Sequence, residues 1–257
     1  MRIGIFDSGL GGLTVAREIK NLHANQSIVY IGDTARVPWG IRSPKIIESF
    51  SLQLLSFLLK KQVDMIVVAC HTASCVAIPA LERTTQLKVT GVIEPSAKDA
   101  VEKSKSTIGI IGTPTTIRSQ AWPTAINLVD PTKKVVSNAA PLLVPIVEEG
   151  LENHEVAKIM VSEYTKPLIE QNIDTLVLAC THYPLLYNIF EGVLGESVIF
   201  INPGESTARS LEIDDLEGNG EDEFYFTDLS DRVKANLEHF YGREIKGKVE
   251  GVEIESL

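Results

Sequence analysis

Short apolar runs alternate with longer amphipathic stretches along most of the 257 residues. Runs rich in Val, Ile and Leu predict strands buried on both faces, whereas apolar positions three or four residues apart predict helices. The predicted strands are residues 2–6, 28–31, 65–69, 88–92, 107–111, 134–137, 175–179 and 198–201. The predicted helices are residues 12–23, 44–61, 73–83, 95–103, 115–128, 153–171 and 183–194. This alternation predicts an α/β fold with parallel sheets and right-handed crossovers.

The alternation runs through the chain twice. The motif GIFDSG at residues 4–9 opens the first half, and GIIGTP at residues 109–114 opens the second. A second pair of motifs, VVACHTAS at residues 67–74 and VLACTHYP at residues 177–184, places Cys70 and Cys180 110 residues apart. The similar offsets predict two similar doubly wound parallel-sheet domains related by a pseudo-twofold, with the active site between them.

The residues that follow the second half predict a return to the first. An acidic stretch at 212–223 precedes a predicted strand at 224–227 and a predicted helix at 229–241. We therefore expect the first domain to comprise residues 1–95 plus 210–257 and the second to comprise residues 96–209.

The two cysteine motifs carry the candidate chemistry. Residues just past the carboxyl ends of parallel strands lie in the crevice where open α/β sheets bind ligands. Each of these thiols also precedes a predicted helix and a neighbouring hydroxyl and imidazole, an environment in which the pKa of a thiol tends to fall. Inert burial is a fair alternative for one such cysteine, and it is the favoured one for Cys75 inside a predicted helix. Because the thiol recurs at the same point of both halves, we predict that Cys70 and Cys180 are catalytic.

Three further residues are candidate helpers of these thiols. Asp7 ends the first predicted strand, next to the expected position of Cys70, and His182 lies two residues past Cys180. Glu148 follows an apolar stretch that could carry it into the cleft, although a solvated helix start is the alternative. Thiols on opposite faces of a cleft suit a reaction that takes a proton from one face of a carbon and returns one to the other.

Two other kinds of site were weighed. The turn DSGLGG at residues 7–12 suits a carboxylate or phosphate, and Asp33 stands where a ribose-binding acid would be, but Thr14 replaces the third glycine of a dinucleotide fingerprint. Cys70, Cys180 and their neighbouring histidines could supply four zinc ligands, but their spacing is not that of a metal site. We therefore predict neither a metal nor a cofactor.

Composition and charge limit the classes of binding partner and the cellular compartment to be expected. The chain has 34 acidic and 24 basic residues and a net charge of −10, which disfavours binding to nucleic acid. The apolar runs are too short to span a membrane. Three cysteines, an odd number, and a strand pattern at the N-terminus in place of a signal peptide predict free thiols and a cytoplasmic protein.

Taken in order, the motifs resemble those of glutamate racemases, in the aspartate/glutamate racemase superfamily. The resemblance rests on both cysteine motifs and on GIFDSG at 4–9, GDTARVP at 32–38, GVIEP at 91–95, GTPTTI at 112–117 and VPIVE at 144–148. Ordered motifs over so much of the chain are far more specific than any single short pattern.

This resemblance implies a cofactor-independent interconversion of L- and D-glutamate that supplies D-glutamate for peptidoglycan, in a protein expected to be a homodimer. It implies that Cys70 and Cys180 are the two acid/base groups and that Asp7, Glu148 and His182 assist them. The implied substrate-binding residues are Ser8, Asp33, Pro38, Trp39, Gly40, His71, Thr72, Thr113, Thr116 and Thr181.

The chain departs from the family pattern at three places. His71 replaces the usual asparagine after the first cysteine, Trp39 replaces a usual tyrosine, and Asn202-Pro203-Gly204 stands where an acid or hydroxyl pair is common. A protonated His71 would add charge beside Cys70, so we expect it to shape the pH profile near neutrality.

Other functions within the superfamily remain alternatives. They are an aspartate racemase or other two-cysteine enzyme, a single-cysteine decarboxylase, and a non-catalytic amino-acid-binding relative. Retention of both cysteines disfavours the decarboxylase. Their retention together with Asp7 and His182 disfavours the binding protein.

Overall fold

A computed structural model describes residues 1–213 and 221–254, so most of the acidic stretch at 212–223 lies outside the described residues. Within these ranges, ten strands lie in two sheets. The strands are β1 (Arg2–Asp7), β2 (Ser27–Gly32), β3 (Met65–Val68), β4 (Val89–Gly91), β5 (Thr107–Gly112), β6 (Lys134–Ala139), β7 (Thr175–Ala179), β8 (Ile199–Ile201), β9 (Asp222–Phe226) and β10 (Gly247–Gly251).

Helices connect these strands. They are α1 (Leu13–Leu22), α2 (Pro44–Lys60), α3 (His71–Val76), α4 (Ile78–Thr84), α5 (Ile93–Lys103), α6 (Pro114–Arg118), α7 (Ala121–Val129), α8 (Leu143–Glu148), α9 (Glu155–Ile169), α10 (Tyr187–Leu194), α11 (Pro203–Ser210) and α12 (Asp231–Tyr241). Short 3₁₀ helices occur at Thr34–Arg36, Trp39–Ile41 and Tyr183–Leu186. Proline begins α2, α6 and α11, where its missing N–H has no helical partner to lose.

The two sheets repeat one strand order. In the described part of the chain the first sheet runs β10-β9-β2-β1-β3-β4 and the second runs β6-β5-β7-β8. All of these pairings are parallel. The core β2-β1-β3-β4 of the first sheet therefore corresponds, strand for strand, to the whole second sheet. This confirms the predicted α/β class with two similar parallel sheets, whereas the residue boundaries of the domains stay a prediction.

Alternating burial along the strands separates two apolar clusters. Ile3 and Ile5 of β1 face a cluster that includes residues of α1 and extends to Ile110 and Val177 of the second sheet. Phe6, on the opposite face, belongs to a second cluster packed against α2. Burying each such side chain contributes about 1.5–3 kcal/mol. The cluster that spans both sheets holds their carboxyl ends in one arrangement.

Several helices differ from their predicted extents. The predicted helix at 73–83 is two helices, α3 and α4, because Pro79 in the first turn of α4 has no N–H to continue α3. The predicted helix at 115–128 divides at Gln120, whose φ of 57° is left-handed. The stretch at 141–147 contributes most of α8, so the alternative of a helix start at Glu148 was wrong: this residue ends the helix.

The structure also bears on membrane insertion. Among the helices of residues 1–213 and 221–254, none combines the length and apolar character needed to cross a bilayer.

Candidate active site

The candidate site lies where the carboxyl ends of the two sheets meet. Cys70 follows β3 and is the N-cap of α3, and Cys180 directly follows β7. Because β3 and β7 occupy the same position in the two sheets, the thiols are placed equivalently. Both are free and buried.

Cys70 is surrounded by groups of the first sheet. Its Sγ donates to Ser8 Oγ at 3.4 Å. Burial raises the pKa of the Cys70 thiol to about 12, and the negative charges of Asp7 and Cys180 act in the same direction. Cys180 is thus near enough to Cys70 for its charge to act on that thiol.

Cys180 lies next to the imidazole of His182, which in turn contacts the carboxylate of Glu148. Nδ1 of His182 lies 3.9 Å from Cys180 Sγ, and its Nε2 lies 3.2 Å from Glu148 Oε1. Burial alone would lower the pKa of His182, but Cys180 and Glu148 together raise it to about 10. The ring is therefore charged near neutrality.

Asp7 is a buried carboxyl between these groups. Its Oδ2 accepts the N–H of Gly9 at 2.9 Å, and its Oδ1 has no hydrogen-bond partner among the described residues. Burial raises the pKa of Asp7, although the charge of His182 and nearby backbone N–H groups oppose this. An unpaired buried oxygen of this kind is available to a bound ligand or water.

Three hydroxyls from both halves meet beside the thiols. Thr72 Oγ1 lies 3.2 Å from Thr113 Oγ1 and 3.3 Å from Thr116 Oγ1, and the latter two are 3.0 Å apart. Thr113 is also the N-cap of α6 and accepts the N–H of Thr116. Gly40 packs against Thr113, and its carbonyl accepts a hydrogen bond from Thr115 at 2.6 Å.

Comparison with known proteins decides the family. The model of the Asp/Glu/Hydantoin racemase family matches residues 12–211. The chain belongs to this family. A glutamate racemase of Aquifex aeolicus is 45% identical over 251 residues, covering 97% of each chain. A glutamate racemase of Geobacter metallireducens is 47% identical over 208 residues, covering 80% of this chain and 77% of its own.

A solved structure shows the same fold. The crystal structure of glutamate racemase from Francisella tularensis in complex with D-glutamate superposes with a TM-score of 0.92 at 31% identity, covering 100% of this chain and 98% of that one.

His71, the main departure from the family pattern, is a neutral residue. Its ring is 3% exposed and stacks on Trp122, with centroids 6.0 Å apart. Burial lowers the pKa of His71 to about 3, which favours the neutral form of the ring over the protonated form near neutrality. Neither ring nitrogen has a partner among the described residues, which leaves one donor and one acceptor for a ligand or buried water.

Two other residues predicted to bind substrate, Trp39 and Asp33, stabilise a turn. Trp39 is 1% exposed and donates from Nε1 to Asp33 Oδ2 at 3.0 Å. Asp33 also accepts hydrogen bonds from Arg36 and Thr227. Because its oxygens are occupied within the protein, any influence of Asp33 on substrate runs through the turn, which includes Pro38 and Gly40, and not through a free carboxylate.

The third departure, Asn202-Pro203-Gly204, forms the start of a helix. Asn202 is the N-cap of α11, and its Oδ1 accepts the N–H of Gly204 at 3.1 Å. Asn202 therefore acts as a helix cap at this position.

Sequence reasoning missed several residues that shape the site. Tyr30 donates its hydroxyl hydrogen to the carbonyl of Gly9 at 2.7 Å, which fixes the turn after β1. Thr14 donates to the carbonyl of Thr181 at 2.9 Å and so links the two halves. Gly11 was noticed only as part of a glycine-rich turn, and nothing in the sequence indicated that it approaches Thr181 and His182.

The zinc alternative concerns Cys70, Cys180 and their neighbouring histidines. Among the described residues, no group of three or more His, Cys, Asp or Glu side chains is placed to hold a metal ion.

Proposed function

We propose that this protein is a glutamate racemase that interconverts L- and D-glutamate with Cys70 and Cys180 as its two acid/base groups. The observation that carries the proposal is the equivalent placement of the two thiols, each past the same strand of its sheet, at ends that the Thr14–Thr181 and Thr72–Thr113 hydrogen bonds join. Membership of the racemase family and the similarity to glutamate racemases support it.

The proton balance follows from this placement. A thiolate on one face takes the Cα proton, so a C–H bond breaks and an S–H bond forms. The thiol on the other face then delivers its proton to the planar carbanion, so its S–H bond breaks and a new C–H bond forms with inverted configuration. The enzyme ends with its two cysteines in exchanged protonation states, and proton exchange restores the starting form.

The two thiols have different helpers in this proposal. His182, held by Glu148, lies beside Cys180 Sγ and can exchange a proton with it. Burial and the charge of the nearby Asp7 favour the protonated thiol at Cys70, whereas the hydrogen bond with Ser8 opposes this effect. Each thiol therefore has its own partner for exchanging a proton, as removal on one face and donation on the other require.

Neutral donors hold the acidic substrate in this proposal. Ser8 and the hydroxyls of Thr72, Thr113, Thr116 and Thr181 donate to the carboxylates, as do backbone N–H groups of the Pro38–Gly40 turn. His71, being neutral, donates or accepts one hydrogen bond at the amino acid. Such fixed dipoles stabilise the carbanion in a site that excludes water.

Isotope exchange tests the proposal. L-glutamate incubated with the protein in D₂O should acquire deuterium at Cα and lose optical rotation, whereas L-aspartate should react far more slowly. Faster reaction of aspartate would support the aspartate racemase alternative, and absence of exchange with either substrate would indicate a non-catalytic binding protein. Activity that EDTA abolishes and zinc restores would contradict a cofactor-independent mechanism.

The cellular role follows from the reaction. We propose that the product D-glutamate supplies peptidoglycan synthesis and that the protein acts in the cytoplasm as a homodimer. Sedimentation of the purified protein with and without glutamate tests the dimer.

A further inference from the structure

Helix α12 belongs by sequence to the strands that extend the first sheet, yet it contacts the helper residues of the second. Arg232, in its first turn, donates from Nη2 to the main-chain carbonyl of Glu148 at 3.0 Å. The same nitrogen lies 2.9 Å from Glu149 Oε1. Phe240, near the other end of α12, packs edge-on against the His182 ring, with centroids 5.2 Å apart.

Two of these contacts involve the Glu148–His182 pair, one through the Glu148 main chain and one through the His182 ring. Burial disfavours the ionised form of Glu148, but the hydrogen bond and charge of His182, together with the charge of Arg232, bring its pKa below the ordinary value. His182 in turn faces Cys180, Thr181 and Glu148 and lies within the field of Asp7. Three successive contacts therefore connect Arg232 to the Cys180 thiol, through Glu148 and His182.

We propose that Arg232 is a positioning residue: it holds the end of α8 so that Glu148 stays paired with His182, and so supports proton transfer at Cys180. This inference rests on the proposed roles of Glu148 and His182. It assigns a function in the second half of the site to a helix that follows β9 of the first sheet.

The local geometry favours positioning over a contribution to global stability. The side chains of Arg232 and Glu149 are 55% and 60% exposed, and ion pairs this exposed add little to folding. The bond to the Glu148 carbonyl is different, because the last carbonyls of a helix have no helical partner and a guanidinium there satisfies one and complements the helix dipole. It fixes the main chain from which the Glu148 carboxylate extends.

Four variants separate these roles. Arg232→Ala removes both contacts, Arg232→Lys keeps a charged donor, and Glu149→Gln removes only the charge of the ion-pair partner. Arg209→Ala is the matched control, because Arg209 is 48% exposed and pairs with Asp99 of α5 away from the thiols.

We expect Arg232→Ala to lower kcat about three- to tenfold, the range for losing one hydrogen bond, with a smaller change in KM. The His182 ring, followed by ¹⁵N NMR, should lose its proton at lower pH than in the wild type. Arg232→Lys should restore much of both properties, and Glu149→Gln and Arg209→Ala should remain close to the wild type.

Three results would overturn the inference. They are a wild-type kcat and His182 titration in Arg232→Ala, an equal loss in Glu149→Gln, or an equal loss in Arg209→Ala. If the wild-type protein exchanges no Cα proton of glutamate, the proposed function fails instead, while the NMR titration still reports whether Arg232 holds the Glu148–His182 pair.

Discussion

Gly11 lies directly against His182: a Cβ atom built on Gly11 would stand 2.6 Å from Nδ1 of the ring and 2.2 Å from Thr181 Oγ1. The glycine-rich turn at residues 7–12, which follows β1 of the first sheet, therefore packs against the imidazole of His182 in the second half. Any side chain at residue 11 would displace the group that lies beside Cys180.

Gly11→Ala should consequently lower activity strongly while leaving the fold in place, because the added methyl group displaces Thr181 or His182. Gly192→Ala is the matched control: no atom lies within 4 Å of its added Cβ, and in helix α10 the change should stabilise by about 0.5–1 kcal/mol. Steady-state kinetics with thermal unfolding of both variants checks this. Wild-type kcat in Gly11→Ala would mean that the ring position is not critical.

Replacement of either proposed acid/base group should abolish racemisation. In Cys70→Ala or Cys180→Ala the remaining thiol can remove and return a proton on one face only, so exchange in D₂O should proceed with retention and for one enantiomer. Cys75→Ser should leave racemisation nearly unchanged. If Cys70→Ser and Cys180→Ser both kept near-native racemisation, the two-thiol mechanism would be wrong.

His71→Asn should retain glutamate racemisation and leave the pH profile near neutrality unchanged, since burial keeps the ring neutral at any pH well above about 3. The variant should differ in acid stability instead. The wild-type ring has a pKa of about 3 when folded and 6.5 when unfolded, so the unfolded chain binds more protons between these values and stability falls as the pH falls through that window.

Urea unfolding midpoints measured across that window test this consequence. The midpoint should fall less steeply with acidification in His71→Asn than in the wild type. If kcat of the wild type changed with pH near neutrality and this change disappeared in His71→Asn, the ring would become charged in the working enzyme.

Glu148→Gln should lower the pKa of His182 from about 10, because the carboxylate is one of the two groups that raise it. The stabilisation that this imidazolium provides is fully present below 6.5, its unfolded value, and is lost as the pH rises through about 10. We therefore expect the alkaline loss of stability and activity to begin at lower pH in the variant. Parallel pH titrations of unfolding and of kcat measure the shift, and coincident wild-type and variant curves would contradict it.

The sequence predicted two similar parallel sheets because buried parallel strands are continuous apolar runs, as in residues 65–68 and 175–179. It missed α11, whose buried positions are small or polar residues such as Gly204, Ser206 and Thr207, and β10, whose sequence GKVEG has no apolar alternation. Local periodicity carries no signal for elements of this composition.

At the candidate site, the sequence identified the residues that directly follow predicted strands. It did not identify residues that reach the site from distant parts of the chain. Cys70 and Cys180 follow apolar runs directly, so their location could be predicted. Arg232 reaches Glu148 across 84 positions of the chain, and the neutral state of His71 depends on burial against Trp122. Both depend on tertiary packing, which one sequence without an alignment does not specify.

Cys70 and Cys180 have different surroundings, but if the protein is a glutamate racemase, thermodynamics limits how far this difference can affect the kinetics of the two directions. Two enantiomers have identical free energies in water, so the ratio of kcat/KM in the two directions must equal one, whatever the enzyme provides on each face. A charged His182 on one side and a buried Asp7 on the other can therefore make kcat differ between L- and D-glutamate only if KM differs by the same factor. The asymmetry of the helpers determines how tightly each enantiomer is held and how fast it turns over, and it cannot bias the mixture that the reaction finally reaches.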